Sequence, residues 1–531
     1  MKDLRTFFLS LILLLPCFVF GQALEARILK HPEKLEVKEV KILNSKYRET
    51  NLNITPNGEY LYFLSTRGGN PWNNTSYPFK GKPEFDGDIY MSVRENKIWQ
   101  APKALLPPIN TGAGEDEPMI SPDAQTVVFE SWRSWDSRGG PYYKAELDGT
   151  QWLNPVGLGS KITDFFLLES TQSLELATDG ACMSPDGKFF LFTYGRDYDK
   201  YLDIYLSKKT DDNQWTFPEK LKLNTEKDER SIFLAADGKT LYFSSTGYGG
   251  EGKLDIFKTQ LNEDFSNTEV INIGKPFNTA DDDYGLIISA DGSEAYFVRE
   301  GDIFSVKLEG ASNDMKSDPV IVVDGLIKDT CGNHYAAKIK VYNEKNNLIS
   351  TAKSNSVSGK FSFVIPFLLE RIRINIDIPE RRTFDYYFNP LIDSTFRHLT
   401  IPTECPKKTS FIMKDNPIKQ KLFYVYFDYN IDTMIRTFHD TILFQFQGIA
   451  PEKIQSVKII GHTDSDGSDE YNKDLSKRRK ESVYQYLIRN NFVRKENIQT
   501  AFEGEKQPVS SNSSTSGRAT NRRVQIVISY K

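Results

Sequence analysis

The segment "GHTDSDGSDEYNKDLSKRR", residues 461–479, holds two charged residues whose types and spacing could bind a ligand, Asp464 and Arg479. Asp464 ends an apolar run. From Asn472 the chain has a helical period whose apolar side passes through Leu475, Val483, Tyr486 and Leu487. Arg479 falls inside that stripe, one turn after Leu475 and one turn before Val483. An arginine on the inward side of a helix needs an anionic partner, and three arrangements supply one. A calcium loop wants acids at alternating positions and a glycine sixth; counted from Asp464 the sixth residue is Asp469, and Gly467 comes two positions early, which tells against it. An internal Asp464–Arg479 ion pair is the second. The third is an open, water-filled pocket in which Arg479 offers its planar fork to a carboxylate and Asp464 takes an ammonium.

Other chemistry is sparse. No "GxSxG", "HExxH" or paired "CxxC" occurs, and the five histidines are scattered at His31, His334, His398, His439 and His462. The reading is a non-catalytic protein with no metal and no cofactor. Its rival is an envelope hydrolase built from dispersed side chains on the loops of the first half. The net charge of -5 argues against nucleic acid as a partner. At 531 residues the chain exceeds one ordinary core, and 39% hydrophobic with 13% aromatic residues suits a folded, strand-rich protein.

The elements that must position Asp464 and Arg479 alternate. "KLFYVYFDYN" (421–430) reads as a strand, "DTMIRTFHDTILFQFQG" (432–448) as a helix and "IQSVKIIGHTD" (454–464) as a strand. The arginine helix follows, and "IQTAFEG" (498–504) and "RRVQIVISY" (522–530) close a small mixed sheet. "GHTDSDG" followed by "YNKDLSKRRKESVYQYL", "GEKQP" and "GRATNRRVQI" resembles the OmpA-like peptidoglycan-binding domain over the whole of 421–531. The resemblance implies an α/β domain that holds the diaminopimelate of a peptidoglycan stem peptide between Asp464 and Arg479. It also implies that Asn430 of "FDYN" and Arg522, the first arginine of "NRR", line the pocket. Asn430 reads equally well as a helix cap before "IDTM". Arg523 is expected on the strand surface.

The first half repeats. "TPNGEYLYFLS" (55–65), "SPDAQTVVFES" (121–131), "SPDGKFFLFTY" (184–194), "AADGKTLYFSS" (235–245) and "SADGSEAYFVR" (289–299) each join a polar turn to an alternating aromatic strand. Most copies reach a second strand, as in "GDIYMS" (87–92) and "LDIYLS" (202–207), whose aspartate is expected to hold turn amides. Such a period means the blades of an all-β propeller over 22–312, five by this count. The long gap between the second and third copies leaves six open. "EVKEVKILN" (36–44) is placed to complete the last blade. The repeats resemble WD-repeat-like propellers of the TolB type.

Residues 319–413 alternate at period two and resemble the carboxypeptidase-regulatory-like β-sandwich, which implies a spacer. Cys331 and Cys405 bracket it, and a disulfide between them is expected in an oxidising compartment; Cys182 reads as an inert buried thiol. Residues 1–21 read as a signal peptide, with Lys2 and Arg5 before an apolar core and a cut before Gln22. Pro16 disfavours lipidation of Cys17, the alternative fate of this segment. The order of propeller, spacer and wall-binding domain resembles envelope proteins that tether outer-membrane assemblies, some linked to type IX secretion. It implies a periplasmic protein held at the cell wall and outer membrane, with an unidentified outer-membrane or periplasmic protein as partner of the propeller.

Overall fold

The computed structural model describes residues 25–68, 76–79, 82–131, 141–172, 176–196, 201–367, 371–379, 383–390, 398–403, 419–434, 438–439, 442, 445–446, 449–509, 512–513 and 515–530. The signal segment, Cys17 and Cys405 lie outside the described residues.

Among the described residues, the repeated half forms five antiparallel sheets of four or five strands, apart from one parallel edge pairing. Their central hairpins are Glu49–Ile54 with Tyr60–Ser65, Glu115–Ile120 with Thr126–Ser131, Ala181–Met183 with Phe189–Tyr194, Glu229–Leu234 with Thr240–Ser245, and Asp283–Ile288 with Glu294–Arg299. The "DI" segments follow as third strands, for example Asp203–Lys208 and Asp302–Lys307. The local cause of each hairpin is the polar turn: Asn57, Asp123, Asp186, Asp237 and Asp291 accept the amides of Glu59, Gln125, Lys188, Lys239 and Ser293. The strand aromatics then bury between sheets, as Tyr142, Phe190 and Phe192 do in one cluster. The gap between the second and third copies holds the helix Ser160–Ser170, whose Ile162, Phe165 and Phe166 join that cluster. The last sheet receives its fourth strand from Val37–Glu39, with Val37 opposite Val306 and Glu39 opposite Phe304.

The middle module is two sheets sharing one core. Val320–Asp329 lies between Lys360–Pro366 and His398–Thr403; the other sheet runs Leu348–Lys353, Lys338–Asn343, Ile372–Asp377, Phe384–Phe388. Val323, Ile339, Phe363 and Ile374 meet between them.

In the C-terminal region the strand order is Lys419–Tyr426, Arg523–Tyr530, Ile454–His462, Ile498–Gly504, with only the last pair parallel. One face carries Val425, Val457, Ile459, Val524, Ile526 and Ile528 into a core. Met434, Phe438, Ile442 and Phe446, four residues apart, and Val483 and Leu487 of the helix Asp469–Arg489 cover it. That helix starts at Ser468, whose hydroxyl accepts the Tyr471 amide, with Asp469 and Glu470 in the first turn and Arg489 in the last, as the helix dipole favours. It lies close on the strand because residue 461 is glycine: a Cβ there would sit 2.1 Å from the Ser476 carbonyl oxygen. The contact holds Arg479 against the strand end that carries Asp464.

Candidate functional site

Asp464, Arg479 and Arg522 gather where the Ile454–His462 strand ends, and all are buried, at 3%, 0% and 2% exposure. Arg522 follows the short helix Thr515–Asn521 and donates from Nη1 to Asp464 Oδ2 at 2.8 Å. Its Nε–H reaches the Phe427 carbonyl at 3.3 Å. The other oxygen of Asp464 accepts the Asp466 amide at 3.4 Å.

Arg479 is held differently. Its Nε donates to the Ile431 carbonyl at 2.8 Å, Nη2 to the Asp428 carbonyl at 2.9 Å and Nη1 to the His462 carbonyl at 3.3 Å, and its guanidinium lies 5.4 Å from the Phe427 ring centroid. Burial, and then the charge of Arg522, lower its pKa to about 10, still protonated at neutral pH. Neither an Asp464–Arg479 ion pair nor an open, watery pocket is what forms. Arg479 instead bonds the 428–431 turn to the strand end, and Asp464 pairs with Arg522. Asn430 sits in that turn with φ 56° and accepts a hydrogen bond from the Tyr471 hydroxyl.

Neighbours that the sequence pattern did not single out complete the site. His462 is 1% exposed, and burial followed by the charge of Arg523 lowers its pKa to about 4. Both its ring nitrogens, Thr463 Oγ1 and Asn472 Oδ1 are buried without a protein partner. Asn472 Nδ2 donates to Glu505 at 2.5 Å. Arg523 corrects the surface reading: it is 2% exposed, with Nη2 on the Gln507 carbonyl at 3.0 Å. It does point away from the helix-covered face, but the 505–509 segment covers it there.

In the repeated half a second recurrence emerges, Asn-Ser/Thr followed after three residues by Asp or Glu, at 44–49, 110–115, 224–229 and 278–283. Each asparagine amide bonds both backbone groups of the isoleucine in a "DI" strand: Asn110 with Ile89, Asn224 with Ile204, Asn278 with Ile256 and Asn44 with Ile303. Each acid accepts the amide and hydroxyl of its Ser or Thr, as Glu115 does from Thr111 at 2.7 and 2.6 Å.

Residues 426–522 match the model of the OmpA family. Outer membrane protein A of Bordetella avium is 33% identical over 121 residues, which are 22% of this chain and 60% of that protein. Outer-membrane lipoprotein YfiB of Pseudomonas aeruginosa is 34% identical over 104 residues, 20% of this chain and 61% of that one. Peptidoglycan-binding protein ArfA of Mycobacterium tuberculosis is 42% identical over 72 residues, 14% of this chain and 22% of that one. The chain thus spans less than two thirds of the length of each of these relatives. With the sheets and the buried Asp464–Arg522–Arg479 group in view, the chain is a mostly-β multidomain protein that carries an OmpA-like domain at its C-terminus.

Proposed function

We propose that the protein binds peptidoglycan non-covalently through residues 421–531, with Asp464, Arg479, Asn430 and Arg522 gripping the diaminopimelate of a stem peptide. The observation that carries this reading is the charge of the site: among the described residues Asp464 is bonded to Arg522, while the nearby Arg479 guanidinium is bonded to backbone carbonyls. Arginine has five N–H groups. Three of Arg479's go to carbonyls, so two remain for a ligand carboxylate. Asp464 Oδ1, with one long amide bond, accepts the ligand ammonium. An amino-acid end carries both groups on one carbon, and diaminopimelate brings such an end into the wall peptide. The peptidoglycan-binding name of ArfA supports the reading. The protein works in the periplasm at the cell wall and outer membrane, a placement supported by the outer-membrane names of its relatives.

The five sheets are read as blades of one closed propeller, which scaffolds an outer-membrane assembly through an outer-membrane or periplasmic partner. Support for closure comes from the first and last sheets: Asp283–Ile288 touches Glu49–Ile54, and Asn44 joins Ile303 by the same double amide bond used between other copies. Sedimentation of the full chain with purified peptidoglycan, with and without excess free meso-diaminopimelate, tests the wall-binding role. Pelleting that the amino acid competes away supports it; a chain left in the supernatant contradicts it.

A further inference from the structure

We infer that Tyr471 is the gate of this site: latched to Asn430, it covers Arg479 and swings aside before a ligand carboxylate can reach the guanidinium. The inference rests on the wall-binding reading above and adds how access to it is controlled. Arg479 is 0% exposed, and Tyr471, 40% exposed and two turns earlier on the same helix, lies near enough to act on its charge. The Tyr471 hydroxyl donates to Asn430 Oδ1, and Asn430 belongs to the turn whose Asp428 and Ile431 carbonyls hold Arg479. The latch therefore runs from the first turn of the arginine helix to the opposite wall of the site. On the near wall the ring rests on Gly467, where φ is 109° and a Cβ would lie 3.2 Å from Tyr471 Cδ1.

Two features let this side chain move alone. Its backbone amide is fixed by the Ser468 cap at 3.2 Å, so the helix start stays in place. Its ring is also absent from the hydrophobic core that takes up Tyr484 and Tyr486 of the same helix. Among the described residues its hydroxyl is latched to Asn430 and its ring lies on Gly467. A site that binds only when open has its apparent affinity reduced by the open fraction, so loss of the latch raises affinity by about two- to tenfold, the range of one hydrogen bond.

The test uses the full chain and a soluble stem tripeptide ending in diaminopimelate, with affinity and association rate measured for the unsubstituted protein, Tyr471→Phe and Tyr471→Leu. Melting temperatures are recorded alongside. The gate predicts that both variants stay folded and bind about two- to tenfold tighter, through faster association. Affinity that is unchanged in both variants overturns it. Affinity that falls in both makes Tyr471 a ligand contact and overturns it too. No binding by the unsubstituted chain removes the wall-binding reading and the gate with it, whereas binding with indifferent variants removes only the gate.

Discussion

Arg522 Nη1 lies 2.8 Å from Asp464 Oδ2, in an ion pair whose side chains are 3% and 5% exposed. Arg522 balances Asp464, and among the described residues Arg479 has no carboxylate bonded to it and is held by backbone carbonyl dipoles.

Breaking this pair on one side leaves a buried charge alone. Asp464→Ala or Arg522→Ala is expected to lower the stability of the C-terminal domain by about 3–5 kcal/mol, and the double variant by less than the sum. Calorimetric unfolding of the four proteins gives the coupling; additive losses would show that the two residues act separately.

Burial lifts Glu115 and Glu117 to about 8 and Glu229 to about 7. The folded repeats therefore hold protons that the unfolded chain releases near 4.5. The stability from these groups is full below that pH and is lost as pH rises through 7 to 8. His462 acts in the opposite sense: lowered from 6.5 to about 4, it favours folding above 6.5 and ceases to as pH falls through 4. All six tryptophans lie in the first half, so tryptophan fluorescence follows the repeats alone. Their melting temperature is expected to be lower at pH 9 than at pH 5, and that of the C-terminal domain, by calorimetry, lower at pH 4 than at pH 7.

Asn44→Ala removes the bonds to both backbone groups of Ile303. If the join is structurally equivalent to the others, the loss is about 1–3 kcal/mol and matches that of Asn110→Ala. Tryptophan-monitored denaturation measures it, and an Asn44→Ala protein as stable as the parent would contradict ring closure.

Cys331 is disulfide-bonded, and Cys182 is free, buried and pushed up by burial. The parallel register sets Asp329 opposite Thr403, two residues short of both Cys331 and Cys405. Mass spectrometry of a non-reduced digest is expected to yield a Cys331–Cys405 peptide, with Cys182 alkylated only after unfolding.

Much of this was legible because local rules govern it. The polar turns, the aromatic strands and the inward place of Arg479 follow from side-chain period, which survives in a single sequence. What failed depends on backbone groups or on distant segments. In place of an anion, Arg479 bonds neutral carbonyl oxygens of the 428–431 turn and of His462, which leave no mark in residue type. The partner of Asp464 arrives from beyond another strand and helix. Arg523 alternates outward as expected, but period says nothing of the loop that covers it. The Asn-Ser/Thr recurrence is present in the sequence, but polar residues in loops read as solvated unless their spacing is compared between copies.

If Asp464 and Arg479 together hold the wall peptide, binding depends on both side chains. Because Arg479 is fully buried and bonds three carbonyls, Arg479→Ala is expected to destabilise the domain, so Arg479→Lys and Asp464→Asn are the informative variants. The decisive measurement is sedimentation of each full-length variant with purified peptidoglycan, on protein shown by calorimetry to be folded. Both variants are expected to lose about 30-fold or more in binding; folded variants that still pellet like the parent would show that this pair does not hold the peptide.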